Sequence, residues 1–165
     1  AKDAFIKAAE IAKNAGRKVA LSLSDSFCVN RHRESFIKLV KNHIDILFAN
    51  EDEIKALYKT SSLNTAIEEL KKTCDLAAIT IGKKGSILIS SGKEINIDPF
   101  IFGKAIDTTG AGDLYAGGFL KGLADGLKPE ISARIGSICA GHIVTQLGSR
   151  SNTDLLNLIS SHLES

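Results

Sequence analysis

Asp107-Thr-Thr-Gly-Ala-Gly-Asp-Leu-Tyr-Ala-Gly-Gly-Phe-Leu120 runs from a strand-like apolar stretch, across a turn of small residues, into a helix that is expected to begin near Ala111. Gly110, Ala111 and Gly112 let the backbone turn sharply, and the first turn of any helix leaves amide N–H groups without intrahelical partners. Those donors, with the positive end of the helix dipole, suit an anion such as a phosphoryl oxygen. Asp113 falls in that first turn. A carboxylate beside an anion pocket has a chemical use if it takes the proton of an attacking hydroxyl, which points to phosphoryl transfer onto an alcohol. Taken alone, Gly-Ala-Gly-Asp also has a plain reading, a small-residue turn followed by an acid that complements the helix dipole.

Two further segments carry candidate chemistry. The apolar run from Ile44 to Ala49 is followed by Asn50-Glu-Asp-Glu53 and a helix. Asn50 is a plausible N-cap and Glu53 its capping-box partner. Leu76-Ala-Ala-Ile-Thr-Ile81 reads as a buried strand, Gly82-Lys-Lys-Gly85 as a turn and Ser86-Ile-Leu-Ile-Ser90 as the returning strand of a hairpin. Lysines in such a turn are ordinarily solvated, and either Lys83 or Lys84 could reach a phosphate.

Working outward, apolar periodicity predicts helix 3–15, strand 18–23, helix 32–42, strand 45–48, helices 51–58 and 64–72, and strand 76–81. Short strands follow at 86–90, 94–97 and 100–106, then helices at 111–125, 129–147 and 153–163. Helix alternating with strand implies an α/β protein with a mostly parallel sheet and helices on both faces, a Rossmann-like three-layer αβα arrangement. Ligands of such sheets bind beyond the carboxyl ends of the strands, where Asp25, Asn50, Thr80 and Asp107 are all expected. No linker or repeat divides residues 1–165, so a single α/β domain is expected.

Composition excludes several functional classes. The chain has 165 residues, 44% of them hydrophobic, enough for one sizeable core. Its net charge is only +2, with 21 basic residues interleaved among 19 acidic ones and no Trp, so nucleic-acid binding is not expected. No apolar run approaches the roughly 20 residues that span a bilayer, and no secretory signal opens the chain. Cys28, Cys74 and Cys139 are odd in number and widely spaced, which fits reduced thiols in a cytoplasmic protein. The four histidines show no metal-ligand spacing. No Walker A loop occurs, and Tyr115 stands where a dinucleotide fingerprint needs its third glycine.

All fourteen residues from Asp107 to Leu120 match the second signature of the ribokinase-like (PfkB) carbohydrate and nucleoside kinases, and the chain resembles that family from about Val19 to its end. The resemblance implies the C-terminal portion of a ribokinase-like fold and an ATP-dependent phosphotransferase. It assigns Asp113 as catalytic base and the amides of Gly110, Ala111 and Gly112, continuing to Asp113, as the anion site. It likens Asn50 and Glu53 to an N-x-x-E motif holding water and Mg2+, a role one carboxylate and one amide can fill through water. Thr80, Gly82 and Gly85 fall on a T-x-G-x-x-G turn that passes under the nucleotide, with Lys83 beside the phosphates and adenine between this turn and the helix near Ser137. A K+ site is implied as well, at Asp107 and the carbonyls of Thr109, Ile143, Gln146 and Gly148. For Asp107 the plain alternative is a strand-end turn former.

Substrate identity is less legible. Leu21-Ser-Leu-Ser-Asp-Ser-Phe-Cys28, with Arg31 and Arg33, looks most like the adenosine-kinase-like bacterial branch. The alternatives are a sugar kinase acting on ribose, fructose or keto-deoxy-gluconate, and a catalytically inactive nucleotide-binding fragment. The chain contains no Met, begins at Ala1, and is expected to be the nucleotide-binding half of a longer kinase whose other half carries most substrate contacts. A small-molecule sugar or nucleoside partner and a homodimeric full-length protein are expected.

Overall fold

The computed structural model describes residues 2–163 of the chain. Seven α-helices and five β-strands are present among them, in the order α1 (Lys2–Asn14), β1 (Ala20–Ser22), α2 (Ser26–His43), β2 (Ile46–Asn50), α3 (Glu51–Tyr58), α4 (Leu63–Lys71), β3 (Leu76–Thr80), β4 (Ser86–Ser90), β5 (Lys93–Ile97), α5 (Ala111–Ala124), α6 (Pro129–Ile143) and α7 (Leu155–Leu163). The strands form one sheet in the order β1-β2-β3-β4-β5. β1 pairs with β2 in parallel, Ala20 opposite Ile46 and Ser22 opposite Phe48. α2 forms the crossover between them, as a parallel pair requires. The last strands return through short hairpins instead. Ser91 and Gly92 between β4 and β5 both have positive φ, the twist-matched geometry of a two-residue hairpin.

The chain forms two compact units, Ala1–Ile79 with Ile89–Glu94, and Thr80–Leu88 with Ile95–Ser165. The first holds its own core, in which Leu47 of β2, Ile54 and Leu57 of α3, and Ile67 and Leu70 of α4 are fully buried. In the second, α5 and α6 pack closely because small residues line the seam. A Cβ at Gly118 would lie 2.9 Å from Cys139 Sγ, one at Gly122 2.7 Å from Ser132 Oγ, and one at Gly136 2.7 Å from the Tyr115 carbonyl. Phe119, Ile138 and Ile143 complete that core.

Three predicted elements differ from the structure. α2 begins at Ser26 rather than 32, because the Asp25 carboxylate accepts the Phe27 and Cys28 N–H groups and caps the helix there. The predicted boundary coincides with a kink at His32, whose φ of −122° and ψ of 23° are not helical. The expected strand 100–106 does not form. Its backbone is satisfied elsewhere, with the Phe100 N–H donating to Ser137 Oγ and the Ile106 N–H to the Val144 carbonyl. Asp107 therefore follows an irregular segment and not a strand end. α6 stops at Ile143 instead of 147, where the Thr145 hydroxyl bonds back to the His142 carbonyl and Gly148 takes a φ of +82°.

Candidate active site

The start of α5 is shaped by Gly110, its N-cap, which holds φ at +78°. A Cβ there would sit 2.6 Å from the Ser149 Cβ, so both backbone conformation and space demand glycine. The Ala111 N–H is already engaged, donating to the Thr108 carbonyl at 3.2 Å. The first i to i−4 bond of the helix is Leu114 N–H to Gly110 O, at 2.9 Å. The amides of Gly112 and Asp113 lie ahead of that bond, in the turn where a helix leaves N–H groups without intrahelical partners. The exposed Asp113 carboxylate stands beside them in the first turn.

Asp107 ties this turn to the segment after α6. Its Oδ1 accepts the Thr109 N–H and its Oδ2 the Gly148 N–H, each at 2.9 Å. The Thr109 hydroxyl, followed by the Gly148 and Thr109 N–H groups, holds the Asp107 carboxyl down to about 2. Among the oxygens that the resemblance assigns to K+, the Asp107 carboxylate accepts these bonds and the Ile143 carbonyl accepts the Gln146 N–H. Thr109 and Gly148 are brought together through Asp107, whose visible work in this structure is that of a loop tie.

A cavity of 510 Å³ opens in the second unit, within the range of about 300–1,000 Å³ common for small-molecule sites. One wall is the hairpin turn, with Thr80, Gly82, Lys83 and Gly85. Other parts of the lining are Thr108 ahead of α5, Ala111, Gly112 and Tyr115 from its start, and Ser137, Ala140 and Gly141 from α6. Pro99, Phe100 and Ile101 add an apolar wall. Gly82 and Gly112 both line the cavity, and a Cβ at either would meet open space. Gly85 is constrained differently, with φ at +93° and the Ile97 carbonyl 2.1 Å from where a Cβ would be. Ser137 lines the cavity, yet its hydroxyl is committed, donating to the Asp98 carbonyl and accepting the Phe100 N–H. The cavity thus combines an apolar slot, a glycine-rich turn and helix-start amides of the kind that bind anions.

Seven of the site residues expected from the sequence line one cavity: Thr80, Gly82, Lys83, Gly85, Ala111, Gly112 and Ser137. The sequence pattern overlooks Phe100, Ile101 and Thr108, and it does not anticipate that the Tyr115 hydroxyl lies 2.8 Å from Ser86 Oγ. A tyrosine embedded in an apolar helix needs a partner for its hydroxyl, and that was the available signal.

Asn50 and Glu53 belong to the first unit, where they form a complete capping box on α3. Glu53 Oε2 accepts the Asn50 N–H at 2.9 Å, Glu53 Oε1 accepts Asn50 Nδ2 at 2.8 Å, and Asn50 Oδ1 accepts the Glu53 N–H at 2.8 Å. Burial pushes the Glu53 carboxyl up, the Asn50 N–H draws it down, and the nearby Asp25 and Asp52 charges raise it further. Glu53 is 5% exposed, and both of its carboxylate oxygens accept bonds within the capping box.

The fold defines a class, the ribokinase-like α/β proteins. The chain belongs to the pfkB family of carbohydrate kinases, which it matches over residues 1–155. Adenosine kinase from Sinorhizobium meliloti is 40% identical and superposes with a TM-score of 0.93 over 97% of this chain and 49% of its own. A probable sugar kinase from Rhizobium etli is 35% identical, with a TM-score of 0.93 and the same coverage of 97% and 49%. A nucleoside kinase from Methanocaldococcus jannaschii is 31% identical over 132 residues, 80% of this chain and 43% of that protein. The chain spans about half the length of these relatives. Among the described residues, no helix is long and apolar enough to cross a membrane.

Proposed function

We propose that this chain is the nucleotide-binding portion of an ATP-dependent kinase that moves the γ-phosphoryl group to a hydroxyl of a sugar or nucleoside. The observation that carries the reading is the meeting of the Gly82–Gly85 turn and the α5 N-terminus on one cavity. ATP supplies the phosphoryl group, and Mg2+ neutralises its charge when bound. The Gly112 and Asp113 amides hold a phosphoryl oxygen, and the glycine turn keeps side chains out of the path of the phosphates. Asp113 Oδ accepts the proton of the acceptor hydroxyl and holds that oxygen in line. Asn50 and Glu53 orient water around the metal. Asp107 preserves the turn that aims Gly112 and Asp113. Three free thiols, Cys28, Cys74 and Cys139, support a reducing cytoplasmic setting.

Adenosine is the favoured acceptor, supported by the 40% identity to a protein named adenosine kinase. A sugar is the second reading, supported by the equal TM-score of 0.93 to a probable sugar kinase. Asp113→Asn in the whole protein is expected to lower turnover by about 10²–10⁴-fold with little change in ATP affinity. Undiminished turnover in that variant would remove Asp113 from the chemistry. Phosphorylation assays with adenosine, ribose, fructose and keto-deoxy-gluconate decide the acceptor.

A further inference from the structure

Tyr115 and Ser86 form a buried hydroxyl pair that the phosphoryl-transfer reading leaves without a role. Ser86 is 1% exposed and Tyr115 3% exposed, and their oxygens are 2.8 Å apart. Each stands at a consequential place in the chain. Ser86 directly follows Gly85, the last residue of the hairpin turn that walls the cavity. The turn is itself held by Ile81 N–H to Gly85 O at 2.9 Å and Gly85 N–H to Gly82 O at 3.1 Å. Tyr115 lies two residues beyond Asp113, on the same opening turns of α5 as the Gly112 and Asp113 amides.

Both groups are enclosed by protein. A Cβ on Gly136 would lie 3.2 Å from the Tyr115 ring, so α6 presses on that face, and the ring stacks with Phe119 at 6.5 Å between centroids. Behind the turn, the Ile97 carbonyl and Pro99 nitrogen close on Gly85. This side-chain bond joins the residue after the turn to the start of the helix, and so links two walls of the cavity. Burial drives the tyrosine hydroxyl up to about 12, against the Ser86 bond, so it stays neutral and protonated across the physiological range.

We propose that the Ser86–Tyr115 hydrogen bond is a positioning tie that sets the spacing between the Gly82–Gly85 turn and the α5 N-terminus, and through it the affinity of the cavity for a nucleotide. The proposal rests on reading the cavity as the nucleotide site. Tyr115 acts through backbone that it holds in place, not through its own contact with phosphate.

The experiment uses the whole protein, unsubstituted and as Y115F, S86A and the Y115F/S86A double variant. Calorimetric titration with the non-hydrolysable ATP analogue AMPPNP gives affinity, and thermal unfolding gives stability. Each single variant leaves one buried hydroxyl without its partner, whereas the double variant removes both, which is close to neutral for stability. A merely structural pair therefore predicts that stability and affinity fall together in the single variants and recover together in the double. A positioning tie predicts that stability recovers in the double variant while the dissociation constant for AMPPNP stays raised about tenfold. The KM for ATP should rise with it, by more than kcat falls. Affinity that tracks stability through all four proteins overturns the proposal. An unsubstituted protein that binds no AMPPNP overturns the nucleotide reading itself, a different result from an intact site insensitive to the tie.

Discussion

At the scale of single residues, charge and backbone are interlocked at Asp107. Its carboxylate accepts N–H groups from Thr109 and Gly148, and the Thr109 hydroxyl adds the largest share of the depression of its pKa from 3.8 to about 2. A carboxyl whose folded pKa is depressed is more acidic in the native protein than in the unfolded chain. As pH falls, the unfolded chain takes up the proton first. The stability contributed by Asp107 is therefore fully present above pH 3.8 and is lost as pH drops toward about 2. Asp107→Asn keeps an acceptor oxygen but lacks the charge. Urea unfolding at stepped pH should show this variant less stable than the parent at neutral pH, with the gap narrowing progressively below pH 3.8. A gap that stays constant through that window would mean the tie does not depend on ionisation. Gly110 lies close to the same tie, since a Cβ there would meet Ser149, the residue after Gly148.

At the scale of elements, caps decide more than periodicity does. α3 opens with a full capping box between Asn50 and Glu53, and substituting such an N-cap by alanine costs about 0.5–2 kcal/mol. Asn50→Ala in the whole protein should lower unfolding stability by that amount, measured by denaturant titration. If the pair also orders water around Mg2+, the Mg2+ concentration needed for half-maximal turnover should rise in the same variant. A stability loss with unchanged Mg2+ dependence would leave the cap as its whole role. The capping box was legible because both partners are local, three residues apart. The α2 start is hidden from local pattern because Asp25-Ser-Phe lacks a later acidic partner, although Asp25 alone suffices as cap. The run from Phe100 to Ile106 reads as a strand by its apolar content, but Ile101 is 76% and Ile106 63% exposed. What overrode the pattern was a set of long-range bonds to Ser137 and Val144, which no local window contains. The Ser86–Tyr115 pair was hidden for the same reason, being separated by 29 positions.

At the scale of the whole molecule, the residues proposed to serve one reaction are distributed over two compact units. The cavity residues from Thr80 to Gly85 and from Thr108 to Val144 belong to one unit, and Asn50 and Glu53 to the other. This distribution makes ligand effects separable. A ligand that binds only the native state stabilises it by RT ln(1 + [L]/Kd), about 2.7 kcal/mol at a hundred times Kd. Hydrogen exchange on the whole protein can locate where that stabilisation acts, because protection reports local opening segment by segment. Adding AMPPNP without metal should slow exchange in the 80–88 hairpin and at the start of α5, where Gly112 and Asp113 amides would be covered. Subsequent addition of Mg2+ should extend protection to the first turn of α3 if Asn50 and Glu53 order water around the metal. The capping box alone makes α3 insensitive to the metal, since all its bonds are already closed within the element. Protection of the hairpin and α5 with no change at α3 would thus separate the nucleotide site from the metal role. Protection at neither place would refute the nucleotide reading of the cavity, whatever the acceptor.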